Sequence, residues 1–115
     1  MRAIILALTV ATLPATAYAH HGWASYDAAK QTKLTAKIDK VAFTNPHGEI
    51  WMTVEGKQLY VLLSPPGRMV DRGLNAKDLT VGKTVTVEAQ PSTVNANEWK
   101  AISITVDGKN YNLMR

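Results

Sequence analysis

The stretch Ile50-Trp51-Met52-Thr53-Val54-Glu55-Gly56-Lys57-Gln58-Leu59-Tyr60-Val61-Leu62-Leu63-Ser64-Pro65-Pro66 decides the fold. Ile50, Met52 and Val54 recur at every second position, as do Leu59, Val61 and Leu63. A period of two puts alternate side chains on opposite faces of a strand, so both runs read as strands with one buried face. Glu55-Gly56-Lys57 turns the first into the second, which makes a hairpin. Ser64 then offers a side-chain oxygen for a helix N-cap, and the prolines supply rings already at helical φ. Gly73 ends that helix after about two turns.

The same reading extends outward. Upstream, Leu34, Ala36 and Ile38 alternate, a break falls near Asp39-Lys40, and Val41 and Phe43 resume the pattern until Thr44-Asn45-Pro46-His47-Gly48 interrupts it. Downstream, Asn75 to Leu79 reads as a capped turn. Val81, Val85 and Val87 predict a fourth strand interrupted at Gly82, and Ile102, Ile104 and Val106 a fifth. Asp107-Gly108 then turns the chain into a short tail from Tyr111 to Leu113. The order β-β-β-α-β-β is that of the OB fold. The expectation is an all-β protein with one short helix, a five- to six-stranded OB-like Greek-key barrel. An open antiparallel sandwich of the same strands is the alternative.

Before these strands comes a different kind of segment. One positive charge at Arg2 precedes the apolar run Ala3 to Ala11, then Pro14, then Ala17-Tyr18-Ala19. This is the three-part layout of a secretory signal, and its apolar core is too short to span a bilayer. The expected organisation is a signal peptide over 1–19, an N-terminal arm over 20–33, and a barrel domain over 34–115. Export to the periplasm or the medium follows, with no membrane span once the signal is cleaved.

Composition sets the outer limits. The chain has 115 residues, 46% apolar and 19% charged, which suits one ordinary globular domain. It has no cysteine, which removes disulfides, thiolate metal sites and cysteine nucleophiles. The formal charge of +4 is mild, and Lys37, Lys57 and Lys100 are spread among acids, so neither charge nor compartment suits nucleic acid. No phosphate-binding glycine loop, H-E-x-x-H helix or nucleophile elbow is present, and Ser25, Ser64, Ser92 and Ser103 have no histidine context. The reading is therefore not an enzyme, with copper-dependent redox activity left open.

The three histidines fall in two motifs, His20-His21-Gly22-Trp23 and Asn45-Pro46-His47. Cleavage after Ala19 would make His20 the first residue. Its α-amine, with an ordinary pKa of about 8, and its Nδ1 can then chelate one metal ion. An imidazole from elsewhere completes three nitrogens, an arrangement that resembles the histidine brace of several secreted copper proteins. Such ligands favour Cu(II) among divalent ions. His21 offers a competing geometry through the amine, the intervening amide nitrogen and its own ring. The plainer readings are a solvated arm for His20-His21 and a turn cap for His47. Tyr26 and Asp27 are candidates to orient an imidazole by hydrogen bonding, against an ordinary capping role for Asp27. Alternation turns Glu49 toward solvent, places Met52 in the core, and leaves Met69 as core before it is a thioether ligand for Cu(I).

The combination His20-His21-x-Trp23-x-x-Tyr26-Asp27, Leu34-x-Ala36-x-Ile38 and Thr44-Asn45-Pro46-His47 resembles a family of small uncharacterised exported bacterial proteins. Arg68-Met69-x-x-Arg72-Gly73-Leu74 and Leu79-x-x-Gly82-Lys83-x-Val85-x-Val87 are similar as well. The likeness spans nearly all of 20–115. It implies that His20, His21, His47 and Asp27 belong to one recurring pattern, and it carries no activity.

The resulting expectation is an exported metal-binding protein that handles copper. Its site is His20, completed by His47 and/or His21, with a periplasmic protein as possible partner. The alternative is a periplasmic OB-fold binding module for a small ligand, an oligosaccharide or a protein, with no metal. In that reading Trp51, Tyr60 and Trp99 offer stacking faces. Trp51 and Tyr60 have opposite parity to their strands' aliphatic residues, so they share the outer surface and can cover one another.

Overall fold

The computed structural model describes residues 25–115. Six strands form one sheet: β1 Thr32–Ala42, β2 Glu49–Val54, β3 Lys57–Leu62, β4 Thr84–Pro91, β5 Glu98–Val106 and β6 Lys109–Asn112. One helix, α1 Pro66–Asp71, lies between β3 and β4. The strand order is β3-β2-β1-β4-β5-β6, and β3 also pairs with β5 in parallel. That last pairing closes the first five strands into a barrel and leaves β6 as an added edge. The closed OB-like barrel expected from the sequence is the observed fold, and the open sandwich is not.

β1 makes closure possible by serving two partners along its length. Its first half, Thr32 to Lys37, pairs with β4, and its second half, Ile38 to Ala42, pairs with β2. The register shifts between Ile38 and Lys40, where the sequence pattern breaks. A bulge there bends the strand and increases its twist. The two tight turns follow their sequence signals. Glu55-Gly56 and Asp107-Gly108 all have positive φ, between 50° and 78°, as a two-residue hairpin turn requires.

The barrel interior is apolar throughout. Ile38, Ile50, Met52, Val61, Val85, Val87 and Ile104 are fully buried, as are Met69 on α1 and Leu74 and Leu79 beyond it. Burying each such side chain contributes roughly 1.5–3 kcal/mol against its exposed state.

Three local expectations are corrected. Val81 is not part of the fourth strand: it is 64% exposed, in a turn that the Lys83 N–H closes onto the Thr80 carbonyl at 3.1 Å. Gly82 sits there at φ +90°, and β4 begins only at Thr84. Ser64 does not cap α1. Pro65 holds that position, and the buried Ser64 hydroxyl donates to the Leu113 carbonyl instead. That bond fastens the C-terminal tail beside the helix. Trp99 is not a free stacking face but packs partly against the core.

Candidate functional site

His47 stands in the turn between β1 and β2, on backbone that is pinned from both sides. The Gly48 N–H donates to the Ser64 carbonyl at 2.9 Å, and the Leu63 N–H donates to the Gly48 carbonyl at 2.8 Å. The turn passes close over Met69: a Cβ at Gly48 would lie 2.7 Å from Met69 Cε. Met69, wholly buried, thus packs under the turn and takes the core role. The Asn45–Pro46 peptide just before is cis. The His47 side chain is about 15% exposed.

Glu49 opens β2, and its carboxylate is 3.6 Å from His47 Nδ1, at ion-pair distance. It is also hydrogen-bonded to the Tyr60 hydroxyl across the hairpin. Glu49 therefore does not face open solvent, as strand alternation suggested. It lies on the outer face, but that face is half-covered. Burial, the bond to Glu49 and the negative neighbours Glu49 and Glu98 hold Tyr60 above its ordinary pKa. Trp51 and Tyr60 face each other in register, with ring centroids 5.2 Å apart, and Lys40 Nζ lies 4.6 Å over the Trp51 ring. The mutual cover inferred from their parity is what the strands produce.

A second tyrosine arrives from the N-terminal side. Tyr26 bridges to Ser92, the Asp27 N–H donates to the Pro91 carbonyl at 2.9 Å, and the Thr93 N–H donates to the Ser25 carbonyl at 2.9 Å. These bonds strap the segment before β1 onto the end of β4, and Tyr26 is only 5% exposed. Its hydroxyl donates to Glu98 Oε2 at 2.8 Å. Burial first, then this bond and the Glu98 charge, raise its pKa. Asp27 is used locally: its Oδ1 accepts from the Ala29 N–H at 3.0 Å and caps the 3-10 turn Ala28–Lys30.

The closing pairs of the barrel bring the two tyrosine–glutamate pairs together. Tyr60 is in register with Glu98, and Leu62 with Lys100. Lys100 Nζ sits 5.8 Å from the Tyr26 ring centroid. Tyr26, His47, Ser64, Arg68, Lys100 and Arg115 then line a single cavity of about 390 Å³. The sequence singles out Tyr26 and His47, reads Glu49 as solvent-facing and Lys100 as a scattered cation, and assigns no site role to Arg68, Glu98 or Arg115. The usable signal for Glu49 was its parity with Trp51 and opposite an outward-facing Tyr60. Nothing local marks Arg68 or Arg115, which come from the helix and the tail.

His20 and His21 lie outside the described residues. Among the described residues no group of three or more His, Cys, Asp or Glu side chains is placed to hold a metal ion. Nor is any helix there long and apolar enough to cross a membrane. Neither a curated protein nor a solved structure matches the chain. A protein-family match over residues 7–100 does: the chain belongs to the family of unknown function DUF6152.

Proposed function

We propose that the chain is an exported copper-handling protein whose metal is held by the amine and imidazole of a processed His20, with His47 and/or His21. The observation that supports this most is that Tyr26 and His47 line the same cavity. Tyr26 is strapped to the barrel, and position 20 lies six residues before it. Six residues can span at most about 20 Å, so the Asn-Pro-His turn falls within the reach that a terminus at His20 would have. Glu49 beside His47 Nδ1 suits a ligand as well: a carboxylate 3.6 Å away offsets the positive charge that a metal ion brings to the ring. With one imidazole on the described surface, the remaining nitrogens must come from the N-terminal arm, which is what processing would supply. A periplasmic protein that delivers or accepts the ion is the expected partner.

The test is a Cu(II) titration of two forms of the protein. One has its N-terminus confirmed as His20 by mass spectrometry, and the other retains residues 1–19. The expected result is strong binding by the first form only, because the chelate needs a free amine on His20. Equal affinity of the two forms removes the proposed site.

A further inference from the structure

The described cavity has a chemistry of its own that does not require a metal. Arg68 from α1, Lys100 from β5 and Arg115 from the tail converge on it. Among the described residues no Asp or Glu carboxylate lies at ion-pair distance from either guanidinium. The three cations act on one another. Burial, then Arg115, then Arg68 push the Lys100 ammonium below its ordinary pKa. Positive charges gathered on a concave, partly desolvated surface attract an anion. Beside Tyr26, His47 and Ser64, the wall also includes Leu62, Leu63, Ala101 and Leu113, all of them buried. Its volume of about 390 Å³ is at the small end of the range for small-molecule sites.

We infer that this cavity binds a small organic anion, its carboxylate held by Arg68, Lys100 and Arg115 and its apolar body laid against Leu62, Leu63 and Leu113. Guanidinium groups suit the head because they can meet both carboxylate oxygens with charge-assisted hydrogen bonds. The apolar wall selects against inorganic anions, which have nothing to bury there. The Ser64 hydroxyl donates to the tail carbonyl of Leu113 and so fastens the segment that carries Arg115 beside the cavity. This reading is independent of the copper proposal and is tested in its absence.

The experiment is calorimetric titration of metal-free, chelator-treated protein with hexanoate, acetate, hexanamide and inorganic phosphate. Hexanoate should bind about tenfold or more tightly than acetate, which lacks the body, and than hexanamide, which lacks the charge. Arg68→Gln and Arg115→Gln should each weaken hexanoate about tenfold, with unchanged thermal unfolding showing that the barrel is intact. Arg115 stands beyond the last strand, so its variant reports on binding even where the helix variant alters folding. Hexanamide equal to hexanoate, phosphate preferred to hexanoate, or both variants binding normally would each overturn the inference. Hexanoate binding that appears only after copper is added would do so too, because the anion would then be a ligand of the metal.

Discussion

The two faces of the β2–β3 hairpin are made from alternate residues of the same two strands, yet they follow different rules. On the inner face Ile50, Met52, Leu59 and Val61 are buried against the barrel core. On the outer face Glu49, Trp51 and Tyr60 are half-buried, and each has a named partner: His47 and Tyr60, Tyr60, and Glu49. Strand geometry alone decides which side chains point inward. What happens outward depends on what else the chain lays over the sheet, and here that is the Tyr26 strap, the Asn-Pro-His turn and the C-terminal tail. The polar chemistry of this protein sits where a barrel wall is covered by its own connections.

The largest expected effect tests the inner face. Met52→Ala should lower the unfolding free energy by about 3 kcal/mol, read by urea denaturation, because it empties a fully buried position. A loss below about 1 kcal/mol would erase the distinction between the faces. Next comes the turn above the outer face. His47→Ala should weaken Cu(II) binding by protein beginning at His20 at least tenfold, about 1.4 kcal/mol, with little change in thermal stability. If His47→Ala leaves binding intact while His21→Ala abolishes it, the ligands lie wholly in the N-terminal segment.

A smaller effect probes the strap. Tyr26→Phe removes the hydroxyl that donates to Glu98 and should cost about 1 kcal/mol. It also carries a pH signature. Tyr26 and Tyr60 both have folded-state pKa values raised above the ordinary 10.0, by burial first and then by their bonded glutamates. The unfolded chain therefore releases these protons first as pH rises. Their contribution is complete below about pH 10 and is lost as pH climbs from there toward the folded-state values. Stability measured in urea between about pH 9 and about pH 11 should fall, and Tyr26→Phe should make the decline shallower. An identical slope in the variant would mean that Tyr26 ionises as easily folded as unfolded. The smallest effect belongs to Val81→Thr, expected within about 0.5 kcal/mol at an exposed turn position. A cost typical of a core strand residue would return Val81 to β4.

The inner face was readable from sequence for the same reason that it is uniform. Period-two alternation, two turn signals with positive φ and one short proline-led helix are local features, and together they specify the barrel. Val81 misled because an apolar residue beside a glycine has the same local appearance in a strand and in a turn. Ser64 misled because its hydroxyl found a carbonyl 49 positions away in place of the adjacent helix. The site was half legible. His47 and Tyr26 stood out as unusual residues in short motifs, whereas Arg68, Lys100 and Arg115 are ordinary cations until β3 meets β5. Glu49 was misassigned by the rule that works for Ile50, since alternation gives direction and says nothing about cover.

The β3–β5 seam has a consequence for how the molecule is assembled. The pairs Tyr60–Glu98, Val61–Trp99 and Leu62–Lys100 form it, joining segments separated by 38 positions in the chain, and among the described residues it is the sole parallel pairing of strands. Contacts between distant segments must overcome more loop-closure entropy than hairpins do, so this seam, like the β1–β4 pairing, closes against a larger entropic cost than the hairpins. The cavity and the paired tyrosines exist only once it is complete. A ligand lodged there is held by groups from both sides of the join and so acts as a rivet. By mass action it raises the stability of the closed barrel in proportion to the logarithm of its concentration. Occupancy and closure are then one equilibrium, and a chain that has not finished folding has no site to fill.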